Sequence, residues 1–191
     1  MRFITILFMS TTMLAIITLS ACSSPQDQHA EPTTTGSESV TQDMSTAVAT
    51  DQFEAQVALH GTPTVSADGK SIVITVDLSN DGSVILESKG INPINLGAHS
   101  IDANGNVISN DLARAALPSP IAPKNHALVS INLPVDKTVG YSAQILPVQE
   151  NVGWFDKWGT KPLVVGPFNA CSGSTQAKVC DVSGKALPSQ Q

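Results

Sequence analysis

Histidines and carboxylates are the side chains of this chain that could carry out metal or acid-base chemistry. His60, His99 and His126 lie far apart, and no H-x-x-H, C-x-x-C or H-E-x-x-H spacing would place them around one metal ion. Each is therefore interpreted as a strand or loop histidine. The sequence predicts no metal site and no cofactor.

Paired carboxylates could hydrolyse a glycosidic bond, which needs two carboxyl groups about 5–10 Å apart. The sequence does not bring any two acids together, and Asp81 and Asp102 lie close to turn glycines, where Asp commonly bonds the backbone. A G-x-S-x-G motif and a glycine-rich phosphate loop are both absent from the sequence. We therefore expect the protein not to be an enzyme. The acids considered for this role are Asp77, Asp81, Asp102, Glu150 and Asp156.

Composition limits the size of the fold and the class of partner. The chain has 191 residues, 13 Gly, 12 Pro and 41% hydrophobic residues, which suit one modest domain together with unstructured chain. Its net charge is −6, and no Lys/Arg cluster could neutralise a row of phosphates. Nucleic acid is therefore not an expected partner.

The first 21 residues have the pattern of a secretory signal, with Arg2 followed by an apolar run to Leu19. The run ends in L-S-A-C, which resembles the lipobox of bacterial lipoproteins. The resemblance implies that Cys22 carries a thioether-linked diacylglycerol, becomes the mature N-terminus, is N-acylated, and anchors the protein to the lipid bilayer. The alternative is a secreted protein in which this cysteine occurs by chance.

The residues after Cys22 bear on where the protein is anchored. Ser23 and Ser24 occupy the positions where, by the same resemblance, Asp favours retention in the inner membrane. The expected location is therefore the outer membrane, facing the periplasm or the cell surface. Residues 22–51 are rich in Ser, Thr, Pro and acids, so we expect a disordered tether there.

The pattern of residues 52–168 is that of β-strands. Apolar and polar residues alternate in 53–61 and 71–80, and Asp68-Gly69 and Asn104-Gly105 are hairpin turn signals. Seven or eight short strands predict an all-β fold, an antiparallel β-sandwich of immunoglobulin-like type. The remaining predicted strands are 83–88, 94–102, 106–109, 126–135, 141–148 and 161–168.

Cys171 and Cys180 lie in the C-terminal tail, residues 169–191. With Cys22 used for lipid, these two would pair in the oxidising periplasm. A metal site would need four ligands, and no others are near in the sequence. The sequence therefore predicts a disulfide loop in the tail, with two free thiols as the alternative.

Residues 94–165 resemble a β-sandwich module attached to bacterial glycosyltransferases and methyltransferases of polysaccharide biosynthesis. The shared pattern is a strand ending in L-G, a D-A-x-G turn, a Leu-Pro pair, a proline turn and a last hairpin of the form V-x-E-G-V-x-W-F. Ala98 and Ser100 replace aromatic residues of that pattern, and Asn151 replaces the glycine after the glutamate. The matching residues are Leu96, Gly97, Asp102, Ala103, Gly105, Leu117, Pro118, Pro123, Val148, Glu150, Val152, Trp154 and Phe155.

In the resembling proteins this module is attached to enzymes but is not their catalytic part, so the resemblance implies the fold more firmly than an activity. A related sandwich in O-antigen export binds polysaccharide, so the expected function is binding of a glycan by a module anchored in the cell envelope. Two alternatives remain: a protein-interaction subunit of an envelope assembly and, less favoured, a glycoside-active enzyme.

Three residues are the candidates for ligand binding: Trp158, Arg114 and Glu150. Trp154 is expected in the core, whereas Trp158 follows in a turn and is the better candidate for exposure, either to stack on a ligand or to cap the end of the sandwich. Arg114 is expected in a loop-like stretch. It could bind a carboxylate or an acidic sugar, or it could pair with Asp111 or extend along the surface of the sandwich.

Overall fold

The computed structural model describes residues 52–172 and 178–190 of the chain. Cys22, the predicted signal sequence and the predicted tether lie outside the described residues. None of the helices among the described residues has the length and apolarity needed to cross a membrane. The elements are β1 (Ala55–Leu59), β2 (Thr64–Val65), β3 (Ser71–Asn80), β4 (Ile94–Ile101), β5 (Val107–Ala116), β6 (His126–Pro134), α1 (Val135–Thr138), β7 (Ser142–Gln149), β8 (Gly153–Trp154), a 3-10 turn (Phe155–Trp158), β9 (Leu163–Val165), β10 (Asn169–Ala170) and β11 (Val179–Cys180).

These strands form two antiparallel sheets that pack face to face, which confirms the predicted all-β sandwich. In the first sheet β3 is central, with β1 and β2 along one edge and β6 along the other. In the second sheet the order is β5-β4-β7, and β8 and β9 both pair with the far edge of β7. A short ladder of β10 and β11 completes the fold.

The core lies between the inner faces of the two sheets. Alternate residues of β3 are fully buried because their side chains point to the same face of the strand. They face the alternate residues of β4 and β7 on the opposite sheet. The principal core residues are Ile72, Ile74, Val76, Leu78, Leu96, Ile131, Leu133, Ile145, Phe155 and Phe168.

Two predicted turns are confirmed as hairpins. Asp68-Gly69 joins β2 to β3, with Asp68 Oδ1 accepting hydrogen bonds from Ser66 Oγ (2.6 Å) and the Lys70 N–H (3.0 Å). Asn104-Gly105 joins β4 to β5, and Asp102 Oδ1 accepts from the N–H groups of Asn104 and Asn106, both at 2.8 Å. Asp102 therefore serves the backbone, as its sequence position predicted.

Two of the predicted strands need correction. Residues 83–88 contribute only an isolated bridge between Leu86 and Ile121. The strand predicted at 106–109 runs on to Ala116 as β5, so Arg114 lies in a strand and not in a loop. A bulge in β5, opposite the step from Ala98 to Ser100 of β4, hides this continuity, because it shifts the alternation of polar and apolar residues in β5.

The C-terminal residues return to the sandwich. Cys171 and Cys180 form the predicted disulfide beside the β10-β11 ladder. Leu187 joins the core cluster, the Val65 N–H donates to the Pro188 carbonyl (2.8 Å), and the Gln190 N–H donates to the Val65 carbonyl (2.8 Å). The described part of the tail is thus held to β2 by main-chain hydrogen bonds and to the core by apolar packing.

Candidate functional site

Phe155 fixes the positions of both tryptophans. It is completely buried in the core, whereas Trp154 precedes it in extended backbone and points to the outer face of the second sheet. Residues three apart in a 3-10 turn lie on the same side, so Trp158 follows Phe155 toward the space between the sheets. The two tryptophans therefore occupy different surfaces.

Trp158 lies at the side of the sandwich where β1 and the 3-10 turn meet. Its ring stacks on that of Phe53, with centroids 5.0 Å apart and an interplanar angle of 10°. Its centroid lies 5.1 Å from that of the Phe155 ring. The side chain packs against the core but remains partly exposed. It lines a groove of about 340 Å³ together with Phe53, Glu54, Ala55, Gly159 and Thr160.

The groove continues along β1 into a second hollow of about 400 Å³, which adds Gln56, Val57 and Lys161 to the lining. We call the two hollows together the β1 groove. Glu54 and Lys161 place one carboxylate and one ammonium group in its lining. The β1 groove thus combines an aromatic surface with a few polar groups, as small-molecule sites commonly do.

Thr160 adds an unsatisfied polar atom to this groove. The residue is 6% exposed, and its buried Oγ1 has no hydrogen-bond partner among the described residues. Burying a hydroxyl without a partner costs roughly 1–3 kcal/mol, so such an atom needs a reason. Thr160 lines the part of the groove next to Trp158, where a ligand or a water molecule could supply the missing partner.

Arg114 and Glu150 meet on a different surface, the outer face of the second sheet. Arg114 Nε donates to Glu150 Oε1 at 3.1 Å, and Asn95 Nδ2 donates to the same oxygen at 3.0 Å. Arg114 Nη1 also lies 2.7 Å from Asp111 Oδ1. The predicted pairing with Asp111 is therefore present, and Glu150 is a second partner that the sequence did not indicate.

Trp154 lies beside this ion-pair group, and its predicted place in the core is wrong. It stands opposite Val148, and the Arg114 guanidinium carbon is 4.3 Å from its ring centroid, the distance of a cation-π contact. The ring extends over Gly97 and contacts His99, with centroids 3.8 Å apart. Val148 and Trp154 lie on one face of the sheet, and that face is the outer one.

The candidates from the sequence thus fall into two groups. Arg114 and Glu150 hold Trp154 over the outer sheet face, and their charges largely neutralise one another. Trp158 lines the β1 groove and is partly exposed, as expected. Glu54 and Thr160 had no sequence signal, because neither belongs to a recognisable motif.

Asn151 explains the departure from the hairpin pattern noted in the sequence. Its φ is +63°, a left-handed conformation that Gly and Asn adopt more readily than other residues.

Among the described residues, no group of three or more His, Cys, Asp or Glu side chains is arranged to hold a metal ion.

No protein-family model matches the chain, and a search of curated proteins finds no match to its sequence.

Gly97→Ala is expected to displace Trp154. A Cβ at this position would lie 2.6 Å from two ring atoms of Trp154, far inside van der Waals contact. We expect a loss of roughly 1–3 kcal/mol in the free energy of unfolding, as for other overpacked sites, measured by urea denaturation. Gly153→Ala is the matched control, because its Cβ would meet Trp158 at an ordinary 3.5 Å. Equal losses in Gly97→Ala alone and on a Trp154→Ala background would contradict this account.

His99 is expected to make the fold less stable as the pH falls. The residue is 5% exposed, and burial lowers its pKa below the ordinary 6.5, although its Nδ1–H donates to the Asn110 carbonyl at 2.8 Å. Asp156 and Asp111 oppose the shift and Arg114 adds to it. Below about pH 6.5 the unfolded chain binds this proton more readily than the folded one, so the free energy of unfolding decreases with falling pH.

The test compares urea denaturation at pH 7 and pH 5. His99→Gln keeps an N–H donor but cannot titrate, so its stability should change less between the two pH values than that of the wild type. His60→Gln, on an exposed site, is the control and should follow the wild type. An unchanged pH dependence in His99→Gln would show that other groups cause it.

Proposed function

We propose that this protein is a non-catalytic binding module of the bacterial cell envelope, and that its ligand is a glycan held in the β1 groove. The partly exposed Trp158 in that groove is the observation that carries the proposal. An indole surface packs against the C–H face of a sugar ring, while nearby polar groups bind the hydroxyls.

The groups around Trp158 suit a sugar. Glu54 can accept hydrogen bonds from hydroxyl groups, and Lys161 can donate to them. The Thr160 hydroxyl can do both, and its Oγ1 has no partner in the described structure. A sugar hydroxyl, or a water bridging to one, would satisfy this atom on binding.

The non-catalytic part of the proposal is supported by what the carboxylates do in the fold. Glu150 is paired with Arg114, and Asp102, Asp68 and Asp181 hold turns. Hydrogen bonds from neighbouring side chains and backbone N–H groups lower the pKa values of these three turn carboxylates, which favours their charged form. This state suits a carboxylate that holds a turn and does not suit a general acid.

The envelope part of the proposal is supported by the sequence. The L-S-A-C pattern favours lipidation of Cys22, and Ser23 and Ser24 favour the outer membrane. The polar residues 22–51 would then join the lipid to the folded domain.

An interaction subunit of an envelope assembly is a second candidate function. It is favoured by β1, a strand that the structure pairs on one side only, with β3. Such an edge can accept a strand from another chain.

The glycan proposal is tested with purified full-length protein on a glycan array and by titration with cell-surface polysaccharide. We expect saturable binding that Trp158→Ala weakens about tenfold or more, as for a central aromatic contact. Because Trp158 also packs on Phe53, thermal denaturation must show that the variant is folded. Binding that is unaffected in folded Trp158→Ala would contradict the site.

Two further variants separate ligand binding from folding. Thr160→Val keeps the shape of the side chain and removes an unpaired hydroxyl. It should therefore weaken binding of the glycan without lowering the stability of the free protein. Glu54→Gln should also weaken binding, whereas Asp136→Asn, an exposed residue outside the groove, makes the same change of charge and should not. If both charge variants behave alike, Glu54 does not contact the ligand.

Cys22 is expected to carry lipid and to be the mature N-terminus. Mass spectrometry of the protein from the membrane fraction should find the diacylglyceryl and acyl groups on this residue. Cys22→Ser should move the protein from the membrane to the soluble fraction. A membrane-bound Cys22→Ser protein would rule out this anchor.

A further inference from the structure

Among the described residues no strand pairs with the outer edge of β1, and the hydrogen bonds of the fold identify which of its backbone groups face outward. Glu54 and His60 lie at its two ends, and both bond to the β3 side: the Asp81 N–H donates to the Glu54 carbonyl (2.7 Å), and the His60 N–H donates to the Thr75 carbonyl (2.9 Å). In an antiparallel ladder alternate residues face the neighbour, so the N–H and C=O groups of Ala55, Val57 and Leu59 point away from β3.

The strand β1 itself lacks the residues that usually prevent strand pairing, although Lys161 lines the groove beside it. Residues 55–59, A-Q-V-A-L, contain no charge, proline or glycine. By contrast, β9, an edge strand of the other sheet, has three residues and lies between Pro162 and Pro167, with Lys161 next to it. Natural proteins block exposed edges with charges, prolines and short strands, and an edge without them can accept another strand.

We propose that a second copy of this chain docks here, with the two β1 strands antiparallel about a twofold axis through Val57. In this register Val57 faces its own copy, and Ala55 faces Leu59. Each facing pair of outward residues exchanges two main-chain hydrogen bonds. Shifting the strands by two residues in either direction leaves part of this edge unpaired, so the proposed register uses it fully.

The side chains of β1 are complementary in this register. Leu59, which is 41% exposed, would pack over the small Ala55 of the other copy, at the groove lined by Trp158 and Gly159. On the opposite face, Glu54 would lie beside His60 of the other copy, where the imidazole can donate to the carboxylate. Both residues are exposed in the single chain. The pairing thus covers an exposed leucine and joins an acid to a hydrogen-bond donor at each end.

The dimer and the glycan would use the same edge. A second β1 strand would cover the Val57 part of the β1 groove, so a ligand bound there would favour the monomer. The dimer itself does not depend on the glycan proposal, since its hydrogen bonds and contacts come from β1 alone.

Cysteine crosslinking tests the register. Gln56 faces Ala58 of the other copy as a pair without mutual hydrogen bonds, with Cα atoms about 4.5 Å apart, within disulfide range. The full chain with Cys22→Ser, Gln56→Cys and Ala58→Cys should form a covalent dimer under mild oxidation. The same chain with only Gln56→Cys or only Ala58→Cys should not. Equal crosslinking in a single variant and the double variant, or none in the double variant, would overturn the proposal.

Sedimentation of the full chain carrying Cys22→Ser tests the edge itself without any glycan. We expect a monomer-dimer equilibrium whose dissociation constant rises at least tenfold in Val57→Pro, because proline removes an outward N–H that β3 does not use. Val57→Ala keeps that donor and should still dimerise. A wild-type chain that stays monomeric at about 100 μM, or dimerisation equal in Val57→Pro and Val57→Ala, would refute the pairing; a weak contact needs concentrations near its dissociation constant to be seen.

Discussion

The burial of Phe155 is the constraint on which the candidate site depends. This ring is completely buried between the sheets, and its centroid lies 4.2 Å from that of the Phe53 ring. Because Phe155 points inward, its neighbour Trp154 must point outward, and the 3-10 turn brings Trp158 back to the same side as Phe155. The groove next to β1 is thus formed by the residues that close the core, and a ligand there would contact side chains that the fold already holds in place.

The outer face of the second sheet shows how the other tryptophan is accommodated. Gly97 leaves room for the ring of Trp154, and Arg114 and Glu150 hold each other beside it. These ion pairs are partly exposed, with Arg114 28% and Glu150 30% accessible, so each contributes little stability by itself. Their effect is mainly geometric, since they keep the arginine close to the indole. We infer that this group stabilises the sheet face and leaves Trp158 as the better ligand contact.

The all-β fold could be predicted because its strands carry a clear period of two. From Ile72 to Leu78 in β3, every second residue is a fully buried aliphatic side chain. The two hairpin turns have residues that tolerate positive φ. The full length of β5 could not be predicted, because its bulge opposite His99 breaks the alternation of polar and apolar residues. The face of Trp154 could not be predicted from β7, because Leu146 and Val148 are buried on the outer face while Ala143 and Ile145 are buried in the core. A strand that is apolar on both faces gives no signal for which face is which.

The site was harder to predict than the fold because its residues come from distant parts of the chain. Phe53 and Glu54 begin the folded domain, whereas Trp158 and Thr160 follow its last hairpin, and nothing in the local sequence connects them. A chain with only 4% aromatic residues nevertheless brings Phe53, Phe155 and Trp158 together at this one place. On the opposite side of the sandwich β5 lies close to β6, but here β1 and residues 159–161 line a groove. Aromatic packing closes the core on this side without pairing the edge of β1, so the same arrangement that completes the fold leaves a strand edge and an indole available to a ligand or to a second chain.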